Sequence, residues 1–115
     1  MPYSVDGAGL GMGLMIAAYD RDNAAWQALL QDAHPLAASD ALRFMLDTYT
    51  TRAGKEAGDR LLKDTPSDKA LRVVADAAVA VFSAEADREG DDPRQVMEDA
   101  ALRIARQRRN PPARP

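Results

Sequence analysis

At 115 residues the chain is long enough for one hydrophobic core and too short for two, so a single domain is expected. Hydrophobic residues make up 46% and charged residues 29%, an ordinary globular balance, but aromatics make up only 5%, so the core has to come from close-packed helices with small contact residues. The absence of cysteine excludes disulfides, thiol nucleophiles and thiolate metal sites, and the net charge of −3 is uneven: residues 103–115 hold five arginines and no acid, while residues 1–102 carry −8.

The chain opens with glycines at 7, 9, 11 and 13. Alternating glycine invites a phosphate-loop reading, but the dinucleotide fingerprint needs a preceding strand and a third glycine three residues after the second. With Gly9 and Gly11 as the first two, the third would fall on Leu14, and no strand-like run comes before them. Residues 1–10 are expected as a flexible leader, or as glycines that permit close helix contact. The apolar run Ala8–Tyr19 has neither a basic flank nor a small-x-small cleavage site after it, so it does not read as a signal peptide and a cytoplasmic protein is expected.

From about Met12 the pattern turns helical, with Met15, Ile16, Tyr19, Trp26, Leu29, Leu30 and Ala33 on one face. The segment Asp20–Asn23 interrupts it, and Asp20 or Asp22 can cap a second helix, which favours two short helices over one bent one. Pro35 restricts His34 and breaks the chain. The next helix starts at about Leu36 or Ser39, with the stripe Leu42, Met45, Leu46, Tyr49, Ala53, Ala57, Leu61 and Leu62. A break is expected near Arg52–Gly54, where threonines and glycine are poor helix formers.

Thr65–Gly90 carries the strongest helix signal. Thr65 suits the N-cap, Pro66 the first position and Asp68 the third, and Gly90 suits a left-handed close. Leu71, Val74, Ala78, Val81 and Phe82 form one stripe, and Val73, Ala77, Ala80 and Ala84 form a second beside it. A helix apolar over so wide an arc needs cover on more than one side. Arg72, Asp76 and Glu85 within the run exclude a membrane span. Asp92 and Pro93 then start a last helix, with Gln95 in the capping-box position and Val96, Met97, Ala100, Ala101 and Ile104 on its apolar face, fading near Gln107.

Few residues point to chemistry. His34 is the only histidine and lacks the HxxxH or ExxH spacing of a metal site, so it reads as a solvated helix-end residue. Asp87, Glu89, Asp91 and Glu98 fall where a calcium loop has ligands, but Asp92 stands where that loop needs glycine, and a solvated acidic turn fits better. Asp76 lies four residues after Arg72, the spacing of an intrahelical ion pair. Arg103, Arg106, Arg108, Arg109 and Arg114 are the candidate contacts to nucleic acid or a partner, although no aromatic interleaves with them.

The sequence therefore predicts an all-α chain: a compact bundle of four to five antiparallel helices around a central apolar helix at about 66–89. Residues 1–107 form the domain and residues 108–115 a disordered Arg/Pro tail. The expected function is a small non-enzymatic protein–protein interaction module, an adaptor or regulator and a candidate homodimer. A nucleic-acid-associated regulator using the arginine tail is the alternative. No catalytic residue, metal, cofactor or membrane partner is indicated.

Overall fold

The computed structural model describes residues 4–109. Six α-helices follow one another: α1 (Val5–Asp20), α2 (Asn23–Gln31), α3 (Pro35–Ala53), α4 (Lys55–Lys63), α5 (Ala70–Arg88) and α6 (Pro93–Arg109), with one 3-10 turn at Ser67–Lys69. Among the described residues there is no strand, and the chain is the all-α bundle that the periodicity predicts. The sixth helix exists because the break expected near Arg52–Gly54 is complete: Gly54, at φ 96°, separates α3 from α4. No helix of the described residues is long and apolar enough to cross a membrane.

Short-range polar groups set the helix starts. The Ser4 hydroxyl accepts from the Gly7 N–H at 3.0 Å, the Asp22 carboxylate from the Ala25 N–H at 3.0 Å, and the Asp92 carboxylate from the Arg94 N–H at 3.2 Å. Asp22 thus divides residues 12–33 into two helices, as expected. At the end of α5, Gly90 has φ 77° and the Asp91 N–H reaches the Ala86 carbonyl at 2.9 Å, the six-to-one bond of a Schellman close. Thr65 behaves otherwise than its sequence position suggests. Its hydroxyl donates to the Leu61 carbonyl at 2.6 Å and so finishes α4, and α5 begins only at Ala70, after the 3-10 turn. Gln95 does not close a capping box either, since its amide donates to Asp99 at 3.1 Å.

The core is made of small and flexible side chains. Leu14, Met15, Met45, Val74 and Met97 are its largest fully buried members, and Trp26 is the one buried aromatic among the described residues. Val74 and Ala78 lie in it as the α5 stripe predicts, while Val81 and Phe82 are only half-buried. The second α5 strip is largely open, with Ala80 and Ala84 exposed and Val73 and Ala77 half-buried.

The helix enclosed on most sides is α1, which packs against α3, α6, α5 and α2. The leader reading of residues 1–10 therefore fails from Ser4 onward, and the close-contact reading of the glycines holds. A methyl on Gly7 would run into the Cβ and backbone of Asp40, and one on Gly11 would lie 2.7 Å from Cδ2 of Phe44. Glycine at these two sites lets α1 lie on α3 at backbone distance. Each glycine costs about 1 kcal/mol of helix propensity against alanine, and burial of Ala8, Met12, Leu14, Met15, Ala17 and Ala18 on the same helix outweighs it.

Ion pairs then tie distant helices. Arg52 on α3 contacts Glu85 on α5 at 3.0 Å, and its guanidinium lies 5.1 Å from the centre of the Phe82 ring. Arg94 at the start of α6 pairs with Asp20 at 3.0 Å and with Glu98, which holds the Arg94 guanidinium pKa above its ordinary value. Asp40 receives the Ser4 N–H at 3.0 Å. That backbone donor, followed by the Ser4 hydroxyl and the Arg43 guanidinium, holds the Asp40 carboxyl below its ordinary value near 3.8, against an opposing desolvation.

Two outcomes test this packing. Gly7→Ala should destabilise the protein by about 1–3 kcal/mol, because Asp40 presents backbone to the added methyl. At Gly9 a Cβ would meet only Ile104 Cγ2 at 3.6 Å, so Gly9→Ala should be neutral or stabilising by up to about 1 kcal/mol. Urea titration of the pair reads the difference, and equal effects would contradict the close approach at Gly7. The Asp40 carboxyl titrates lower in the folded state than in the unfolded chain, so its stabilisation is complete above the ordinary carboxylate range and is lost as pH falls through the lower folded value. Asp40→Asn should therefore be less stable than the parent at neutral pH and converge with it as pH falls below the lowered folded value; a gap unchanged by acid would show that the Ser4–Asp40 charge plays no part.

Candidate functional site

Because α1 is thin at its glycines, the helices beside it lean close to its backbone. Leu29 of α2 lies against Gly13, with Cδ1 3.4 Å from where a Cβ would be, and Ile104 of α6 lies over Gly9. Between these two flanking helices an open groove of about 780 Å³ runs over the N-terminal half of α1. Val5, Gly9 and Leu10 of α1 form its floor. Ala25, Ala28 and Leu29 of α2 form one wall, and Ala101, Ile104 and Ala105 of α6 the other. The α2–α3 turn closes one side with Asp32, Ala33 and His34, joined by Ala37 of α3. The lining is mostly carbon, and small alanines on both walls keep the groove open.

Its rim is acidic. Asp6 stands in the first turn of α1, where a carboxylate favours the helix dipole. Asp32 is the C-cap of α2, which has no basic residue in its last turn, so a carboxylate sits at the negative end of a helix. That placement is unfavourable by about 0.3–1 kcal/mol unless a cation offsets it. Asp32 has no hydrogen bond or ion pair to another described side chain.

His34, also on this rim, is exposed and acts as the N-cap of α3: its Nδ1 accepts from the Leu36 N–H at 3.1 Å. The acceptor role requires an unprotonated Nδ1. Leu36, the second residue of α3, is the most exposed large apolar side chain among the described residues, at 71%.

The residues singled out in the sequence are not brought together here. Arg103 and Arg106 are exposed on α6, Arg108 and Arg109 fall in its last turn, and Arg114 lies outside the described residues, as does the rest of the expected tail from residue 110. Asp76 is exposed and pairs with Arg72 at 3.4 Å, as its spacing predicts. In the acidic turn after α5, the Glu89 backbone closes α5 and the Asp92 carboxylate caps α6, while Glu98 pairs with Arg94. Among the described residues no group of three or more His, Asp or Glu could hold a metal ion. The groove itself is not apparent from the sequence, because Leu29, Ala101 and Ile104 sit on ordinary core stripes and Ala28 and Ala105 carry no signal at all.

The comparisons with known proteins are silent: no protein-family model, curated protein or solved structure matches this chain.

Proposed function

We propose that the chain is a small non-enzymatic interaction module, an adaptor or regulator, that receives an apolar and basic segment of a partner protein in the groove over α1. The observation that supports this reading is the groove: an open apolar channel of about 780 Å³ between α2 and α6, with carboxylates at its edge. A helix or extended segment with aliphatic side chains fills such a groove, and basic side chains beside them meet Asp32 and the negative end of α2.

Two further readings have an observation each. The open α5 strip of Val73, Ala77, Ala80 and Ala84 favours a homodimer, since small residues at helical spacing let a second helix approach closely. The exposed Arg103 and Arg106, which pair with no acid among the described residues, favour contact with nucleic-acid phosphates.

The groove reading is tested with a helical peptide bearing leucines at i, i+3, i+4 and i+7 and lysines elsewhere, and with its glutamate counterpart. The lysine peptide should bind with Kd on the order of micromolar and weaken with salt, and the glutamate peptide should not bind. Ala28→Trp, which fills the groove from an exposed position, should abolish binding without lowering the melting temperature. Equal binding by Ala28→Trp would remove the groove from the function. Sedimentation and duplex titration address the other two readings. A dimer should show twice the 12.4 kDa chain mass and a melting temperature that rises with concentration, and Ala84→Arg should return it to monomer. Phosphate binding through Arg103 and Arg106 should lose about two units of log–log salt slope when both are replaced by alanine.

A further inference from the structure

A second concavity, of about 590 Å³, lies at the other end of α1, and it shares no lining residue with the groove. One wall is the close of α1 and the start of α2, with Tyr19, Arg21 and Asn23. The other is a face of α5, with Arg72, Asp76 and Ser83. Val79 and Ala80 add an apolar patch between the polar groups.

Two features of this cleft point to a ligand. The first is charge. Residues 1–102 carry −8, yet two arginines line the cleft against one aspartate, which leaves it cationic in an acidic body. Arg72 is held in place: Asp76 takes its Nε edge at 3.4 Å, and the guanidinium lies 4.8 Å from the centre of the Trp26 ring. A stacked, singly paired guanidinium keeps its terminal nitrogens as donors.

The second feature is Arg21. Among the described residues it is the one non-glycine with positive φ, at φ 55° and ψ 37°. It closes α1 where glycine is the usual residue, and the Asp22 N–H behind it donates to the Ala17 carbonyl at 2.9 Å. An L-residue is strained in that conformation, and the Schellman close of α1 accounts for it. The Arg21 guanidinium makes no ion pair with a described residue.

We infer that this cleft binds a small organic monocarboxylate, its carboxylate taken by Arg21 and Arg72 with Asn23 as a further donor, and its apolar body set against Val79 and Ala80. Arginine forks match a carboxylate in shape and charge. The net single positive charge of the lining suits a monoanion, and Asp76 disfavours the dianionic form of phosphate.

The probe is sodium benzoate, added to the isotope-labelled full chain near neutral pH and followed by NMR, with sodium chloride and inorganic phosphate at matched ionic strength. Benzoate should shift the backbone amides of Asn23 and Ser83 and the side-chain Nε–H signals of Arg21 and Arg72, saturating with Kd on the order of 1 mM. Arg21→Gly removes the cation and gives the left-handed position the residue that suits it, so it should weaken binding about tenfold or more while the melting temperature holds or rises. The absence of a saturable benzoate shift, a response equal to that of chloride, or unchanged affinity in Arg21→Gly would each overturn the site. Phosphate binding as tight as benzoate would overturn the assignment to monocarboxylates.

Discussion

The contact on which this bundle depends is the one between α1 and α3 at Gly7 and Gly11. Helices with ordinary side chains pack 8–10 Å apart, and the missing Cβ atoms let the backbone of α1 settle onto Asp40, Ala41 and Phe44. Ser4 locks that register from both sides, accepting from Gly7 and donating its own N–H to Asp40. With α1 so deeply placed, the space around it is shallow, and methionine and alanine fill it where larger aromatics would not fit. The scarcity of aromatics and the glycine-rich start of the chain are thus two sides of one packing solution. The same thinness at Gly9 forms part of the floor of the groove.

Much of this was legible in the sequence, because helix ends are local chemistry. Asp22, Pro35, Gly54, Gly90 and the Asp92–Pro93 pair each act within a turn of their own position, and each marks a real boundary. The glycine run is where local reading breaks down. Four glycines in seven residues argue against helix on propensity, and only contacts with residues some thirty positions away make that helix worth forming. Thr65 shows the same limit in small: a carbonyl of the preceding helix competes for its hydroxyl, and the cap signal is spent backwards. Arg21 is a third case, because a Schellman close without glycine has no sequence signature. Both concavities escape the sequence for a related reason. Whether Ala28 or Val79 faces a neighbour or a gap depends on interhelical distance, and that distance is set by glycines on another helix.

The arginines divide by what they are committed to. Arg52 and Arg94 clamp helices through carboxylates 33 and 74 residues away, and Arg52 and Arg72 also lie over aromatic rings. Each such contact is worth about 1 kcal/mol or less at a half-exposed site, so they adjust the bundle and do not hold it. Once those are set aside, the cations left without an acid among the described residues include Arg21 at the cleft and Arg103 and Arg106 on α6. In a body of net negative charge, uncommitted cations and the uncompensated Asp32 are the places where the electrostatics point outward.

Helix α2 is where these surfaces meet. It has nine residues and one buried side chain, Trp26, and its main packing partner is α1. It gives Asn23 to the cleft and Ala25, Ala28 and Leu29 to the groove, and the Trp26 ring carries the Arg72 guanidinium. So short a helix draws little stability from its own hydrogen bonds and depends on what it packs against. Any shift of α2 along α1 would move one wall of the groove and one donor of the cleft together. Occupancy of either concavity can bias the other only through a difference in how well it holds α2, and the lightly anchored α2 is the element through which such a difference would be transmitted.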